Sequence, residues 1–138
     1  MLLAESHGIL RDGLHRLLEA NPDIRVVATA DNGQEAVAKA ARLAPDVVVM
    51  DVSAPWLSID ATRSIITQQH AATILMLSMH SSGETVREAL AVGARGFLLR
   101  ESARDDVVEA VRAVSAGRVF LGDGVTRKVA ARKDPAAR

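Results

Sequence analysis

Four short apolar runs in this chain each end on a side chain that can do chemistry. "MLLA" from residue 1 leads into Glu5-Ser6-His7, and "VVVM" from residue 47 stops at Asp51. "TILMLS" from residue 73 closes on Ser78, and "GFLLR" from residue 96 on Arg100. Gathered at one point, these residues supply two carboxylates, a hydroxyl and a permanent cation. Two carboxylates suit a hard divalent ion such as Mg²⁺, which takes few protein oxygens and keeps several waters. The cation and hydroxyl can neutralise and hydrogen-bond a phosphoryl group. An aspartate beside Mg²⁺ can act as nucleophile towards phosphorus despite its own charge.

Such a gathering needs a scaffold, and the rest of the chain provides one. A fifth apolar run, "IRVVATA", starts at residue 24, so runs begin at residues 1, 24, 47, 73 and 96. That cadence is close to the minimum length of a strand–helix unit. The segments between the runs carry helical spacing. Ile9, Leu10, Leu14, Leu17 and Leu18 make one apolar face; Val37, Ala40 and Ala41 a second; Ile59, Thr62, Ile65 and Ile66 a third. Val86, Ala89 and Leu90 mark a fourth helix, and Val107, Val108, Val111 and Val114 a fifth. Asn32 with Glu35, Ser81 with Glu84 and Ser102 with Asp105 have capping-box spacing, while Gly93 and Gly117 stand as helix stops. Strands apolar along their whole length belong in a parallel sheet covered on both faces. The expectation is a doubly wound α/β domain with its ligand site at the carboxyl ends of the strands, where Asp51 stands.

Composition excludes several other readings. Seventeen basic and 17 acidic residues cancel over 138 positions, so no global field points to nucleic acid or membrane. From Arg118 onward six basic residues face only Asp123 and Asp134, which reads as a solvated linker. With no cysteine there is no disulfide framework, thiolate metal site or Cys nucleophile. No apolar run approaches membrane-spanning length and the N-terminus lacks signal-peptide character, so a cytoplasmic location is expected. Three aromatic residues, Trp56, Phe97 and Phe120, are too few for a base-stacking platform. No G-x-G-x-x-G or Walker-type loop follows the first run, which removes nucleotide and dinucleotide cofactors. His7, His15, His70 and His80 show no metal-ligand spacing among themselves, and capping or solvated roles are expected for them.

The ordered set of segments resembles the receiver domain of two-component response regulators, specifically the NarL/FixJ-type receivers that precede a LuxR-type helix-turn-helix. "LLAESHGILRDGLHRLLEANPDIRVVATADNGQEAV" is similar to that subclass in residue type and spacing. So are "APDVVVMDV", "ILMLSMH", "EALAVGARGFLL" and "VVEAVRAVSAGRVFL". The resemblance implies a CheY-like, five-stranded parallel sheet of order 2-1-3-4-5, with a receiver domain over residues 1–119 and a linker or helix over 120–138. It implies that Asp51 is the phosphoacceptor, charged by a histidine kinase, with Ser78 as switch hydroxyl and Phe97 as switch aromatic. Mg²⁺ would sit on Glu5, Asp51 and the backbone carbonyl of Ser53. It further implies a homodimer and regulation of transcription. DNA would be reached only through a C-terminal helix-turn-helix domain outside this chain, and no membrane is involved.

The chain departs from the family pattern where the chemistry is most demanding. Glu5-Ser6 stands where the family has an acidic pair, and Arg100 where it has lysine. Serine is a neutral, poor Mg²⁺ ligand, and an Arg fork differs in reach from an ammonium group. Weak or absent Mg²⁺ binding is therefore expected, with Arg100 available to pair with Glu5 or Asp51 instead. Two functions follow: a phospho-switch acting through dimerisation, or a phosphorylation-independent pseudo-receiver that serves as a dimerisation or ligand-binding module. Neither is an enzyme beyond phosphoryl transfer to itself.

Overall fold

The computed structural model describes residues 1–51, 55–68, 72–78, 83–122 and 125. Strands and helices alternate: β1 (Leu2–Ala4), α1 (Gly8–Glu19), β2 (Ala28–Ala30), α2 (Gly33–Leu43), β3 (Val47–Asp51), α3 (Pro55–Gln68), β4 (Thr73–Ser78), α4 (Gly83–Ala91) and β5 (Gly96–Leu99). A 3₁₀ turn at Arg100–Ser102, α5 (Ala103–Ser115) and β6 (Phe120–Leu121) complete the order. All strand pairs are parallel, and the sheet runs β2-β1-β3-β4-β5-β6.

Side chains along each strand alternate between the two faces of the sheet, as the period of two requires. Val48, Met50, Ile74, Met76 and Phe97 pack with Ala36 and Ala40 of α2, Ile65 of α3 and Val86 of α4. Val47, Val49, Leu75, Leu77 and Leu98 turn the other way, onto Leu14 and Leu18 of α1 and Val107, Val111 and Val114 of α5. Both faces are thus covered, which is why the strands read as unbroken apolar runs. The switch in strand order falls between β1 and β3, so the ends of these two strands open onto one crevice.

The expected sheet of five strands has a sixth. Gly96 pairs with Phe120 and Phe97 with Leu121, while Phe120 N donates to Arg95 O at 2.9 Å and Gly122 N to Phe97 O at 3.1 Å. Two residues are too short to show a strand period in sequence, and Phe120 and Leu121 fall in the stretch read from sequence as linker, 120–138. Val125, assigned from sequence to the linker helix, is fully buried in the same core layer as Phe97. The rest of that helix, together with Ser81, lies outside the described residues.

Other local expectations are refined. Asn32 caps α2 by accepting from Glu35 N at 2.9 Å, while the Glu35 carboxylate accepts from Asp31 N at 3.3 Å. Ser102 makes no side-chain cap bond, because the 3₁₀ turn runs directly into α5 and leaves Ser102 itself helical. Ile9 is 87% exposed rather than on the buried face of α1. At about 100° per residue it stands opposite Leu18, which lies in the core. Gly93 has φ +115°, and a Cβ there would come within 2.6 Å of Ile66 Cδ1, so this stop is conformational and steric together.

Away from the site, Arg112 of α5 grips the α1–β2 connection. Its guanidinium donates to both carboxylate oxygens of Asp23, at 3.1 and 3.0 Å, and to Asn21 Oδ1 at 3.1 Å. The hydrogen bonds from Arg112, followed by one from the Asp23 backbone, hold the Asp23 carboxyl below its ordinary value of 3.8. Any stability from this pair is present above that ordinary value and is lost as pH falls through the depressed folded one. In Arg112→Ala the Asp23 carboxyl is expected to titrate higher than in the wild type, towards its ordinary value, read from its side-chain carbon shift by NMR. An unchanged midpoint would show that the backbone bond alone sets it.

Candidate functional site

The end of β1 sets the geometry of the crevice. Glu5 follows the last β1 residue, its backbone N–H donating to Ala30 O at 3.0 Å, and its side chain is fully buried. Asp51 ends β3 and is 8% exposed. Ser78 ends β4, is buried, and pairs in register with Leu99. Arg100 opens the 3₁₀ turn immediately after β5. Four parallel strands thus deliver four polar side chains to the same rim, as the sequence predicts.

The structure brings Glu5, Asp51 and Arg100 into direct contact. Arg100 Nη2 donates to Glu5 Oε2 at 2.6 Å and also to Asp51 Oδ1. One nitrogen therefore serves both carboxylates. The fork is only half used: Arg100 Nε is buried without an acceptor, and Glu5 Oε1 is buried without a donor. An ion pair this deep depends on complete hydrogen bonding to offset desolvation, and two missing partners leave it short of that.

Ser6 takes a part that spacing alone did not reveal. Its Oγ donates to Asp51 Oδ2 at 2.7 Å, and its backbone N lies 3.4 Å from the same oxygen. Both Asp51 oxygens are thereby held, one by Ser6 and the other by Arg100. The serine is a donor to the carboxylate, where the sequence suggested only a missing ligand.

His7 is the residue that sequence reasoning set aside. It stands at the N-cap of α1 without a side-chain cap bond, and its backbone N donates to Glu5 Oε2 at 3.0 Å. Its Nδ1 lies 3.4 Å from both Glu5 Oε2 and Ser6 Oγ. Glu5, His7 and Asp51 each place one ligand atom within 4.8 Å of the others, a group with the composition of a metal site. The sequence reads the histidines as solvated or capping, and His7 stands at the N-cap position of α1 with an exposed side chain.

Phe97 is fully buried between the sheet and α4, paired in register with Met76. Ser53 lies outside the described residues, as does the side chain of Trp56. Arg11 borders the crevice, donating to Glu5 O at 3.3 Å and pairing with Asp31. Among the described residues no helix is long and apolar enough to cross a membrane.

Comparison with known proteins places these features in context. The family model of the response regulator receiver domain matches residues 1–112. The transcriptional regulatory protein LnrK of Bacillus subtilis is 35% identical over 130 residues, covering 94% of this chain and 59% of LnrK. The transcriptional regulatory protein DegU of Brevibacillus brevis is 32% identical over 130 residues, covering 94% of this chain and 55% of DegU. The chain therefore spans less than two thirds of the length of these relatives. Among solved structures, a LuxR-family two-component response regulator from Aurantimonas sp. SI85-9A1 aligns with TM-score 0.89 and 34% identity, over 96% of this chain and 95% of that one. The receiver domain of the regulator NarL from Mycobacterium tuberculosis aligns with TM-score 0.79 and 30% identity, over 85% and 95% respectively.

Proposed function

The chain belongs to the response regulator receiver domain family, in its LuxR/NarL class, and from that premise we propose that Asp51 is its phosphoacceptor, held in a restrained state by Ser6 and Arg100. The observation that carries this reading is the double hold on the carboxylate, with Ser6 on Oδ2 and Arg100 on Oδ1. Attack on phosphorus needs a free oxygen lone pair. Each donor on Asp51 stabilises the charge that must become nucleophilic, so the resting site reacts slowly.

In the transfer, one Asp51 oxygen bonds to phosphorus as the bond to the donor's leaving atom breaks, a ring nitrogen for a phosphohistidine or an oxygen for acetyl phosphate, leaving an acyl phosphate on Asp51 and returning the electron pair to the donor. Arg100 then stands within reach of the new phosphoryl oxygens, and Ser78 offers a hydroxyl from the next strand. The donor is a cognate histidine kinase. In this reading phosphorylation regulates homodimerisation and DNA is reached through a separate C-terminal domain; what supports it is that DegU and LnrK are named transcriptional regulatory proteins. The chain catalyses nothing beyond this transfer to itself.

Mg²⁺ fits these residues poorly. The ion prefers near-octahedral oxygen ligands, and here the second acid is a neutral serine while both carboxylates already face a cation. Weak binding follows, and no step above depends on the ion. A second reading rests on the same double hold: a phosphorylation-independent module in which Arg100 permanently supplies the positive charge.

Intact mass of the 138-residue chain, incubated with acetyl phosphate and Mg²⁺, separates the readings. Slow, partial addition of one phosphoryl group, absent in Asp51→Asn, is expected. Rapid stoichiometric labelling would remove the restraint from the mechanism, and no labelling at any time would favour the phosphorylation-independent module.

A further inference from the structure

We propose that Phe120–Gly122 and Val125 form a strap that closes the outer edge of β5 and opens as a unit, its closure coupled to the ion pairs that Arg100 makes at the other end of the same strand. This conformational device goes beyond the acceptor reading. It stands on the packing around β5 and holds whether or not Asp51 takes a phosphoryl group.

The strap grips the sheet edge from both sides. Phe120 pairs with Gly96 and Leu121 with Phe97, and Gly122 N donates to Phe97 O at 3.1 Å. Phe120 packs against the core layer under α5, whereas Leu121 packs against the opposite layer, where Val125 is fully buried together with Phe97 and Val86. The strand is cut to receive it. A Cβ on Gly96 would come within 2.5 Å of Leu75 Cδ1, 3.0 Å of Val114 Cγ1 and 3.4 Å of Phe120 O, so glycine lets α5 and the strap close over β5 together. The connection into the strap, residues 115–119, is exposed throughout, so the strap can lift without unfolding α5. An edge element with one strand neighbour and an exposed lead-in belongs to the low end of local stability.

Coupling follows from the length of β5. The strand has four residues, begins under the strap and runs directly into Arg100, which lies about 10 Å along the chain from Phe97. By pairing with Glu5 and Asp51, Arg100 fixes this end of β5 against the ends of β1 and β3. Releasing it removes a restraint from the strand on which the strap is built. Linkage makes the effect reciprocal: if freeing Arg100 favours opening, opening weakens the hold of Arg100 on the carboxylates by the same factor. Residues 126–138 follow the strap, so anything that holds them away from the sheet acts on the charged rim.

The chain has no cysteine, so a single thiol at position 125 reads the strap directly. Cysteine is a small hydrophobe that suits this buried position. Val125→Cys should react with a chromogenic aryl disulfide at least about a hundredfold more slowly than Val119→Cys, whose parent side chain is 55% exposed. Its rate should not change in low urea, because local opening exposes little surface, whereas Ala36→Cys in the central core should respond steeply. Arg100→Ala should raise the urea-independent rate about tenfold and leave Val119→Cys unchanged. Arg100→Gln, which removes the charge but keeps a polar side chain, should move it in the same direction. Hydrogen exchange of the Gly122 amide, in a chain without the added thiol, should follow the same factor. Labelling as fast as Val119→Cys would mean that no strap closes in solution. Urea dependence equal to that of Ala36→Cys would mean that Val125 is freed only by global unfolding. A rate untouched by both Arg100 variants would remove the coupling. Each of these results overturns the proposal.

Discussion

Replacing Ser6 by Asp and Arg100 by Lys together should raise the rate of Asp51 labelling by acetyl phosphate and Mg²⁺ about a hundredfold, the scale expected for restoring preorganised charge at a transferring group. Ser6→Asp removes the donor 2.7 Å from Oδ2 and puts a second charged oxygen ligand beside Glu5. Arg100→Lys replaces a planar fork that bridges two carboxylates with a compact ammonium that leaves room for an ion. The two changes act on opposite oxygens of one carboxylate, so their effects should not add. Either alone still leaves Asp51 pinned on one side, and the single variants should each gain less than about tenfold. A double variant that labels at the wild-type rate would place the defect in the segment after Asp51.

Arg100→Ala should cost about 3 kcal/mol of stability, the usual result of removing one partner from a buried ion pair. Glu5 is fully buried and the Asp51 side chain only 5% exposed, so neither carboxylate can recover full hydration when the guanidinium goes. They would also face each other as like charges. Adding Glu5→Gln removes one of those charges, and the double variant should regain most of the loss. Urea midpoints for the four proteins of this cycle measure both effects. A single Arg100→Ala variant within about 0.5 kcal/mol of wild type would mean that water enters the crevice freely.

Asp51, Glu5, Ser78 and Arg100 could be placed together from sequence because each ends an unbroken apolar run. Parallel strands bring such ends to one rim. The pairing of Arg100 with the carboxylates was also foreseeable, since a charge of that sign in a lysine position has few other partners. What Ser6 does was hidden, because a hydroxyl can be a weak ligand or a strong donor and only the position of Asp51 Oδ2 decides. The surroundings of His7 were hidden for a related reason: its Nδ1 lies 3.4 Å from Glu5 Oε2 and from Ser6 Oγ, neighbours set by the turn after β1 and not by any spacing among histidines. Ile9 shows the limit of periodicity at a helix start, where an apolar residue in the first turn need not face the sheet. The sixth strand carries no pattern of its own; β5 makes Phe120–Leu121 a strand by pairing with it.

That last strand gives the domain a direction of mechanical weakness. Among the backbone bonds that hold the chain to β5 here, Phe120 N donates to Arg95 O and Gly122 N to Phe97 O, both lying across the strand axis. Tension on the chain beyond Gly122, applied along the strand, strains both bonds at once in shear. Applied sideways, it opens them one after the other, like a zipper. Load carried through β6 passes to β5, whose next residue after Leu99 is the Arg100 that bridges the carboxylates. A pull on one edge of the sheet is therefore delivered to its charged centre along a single strand.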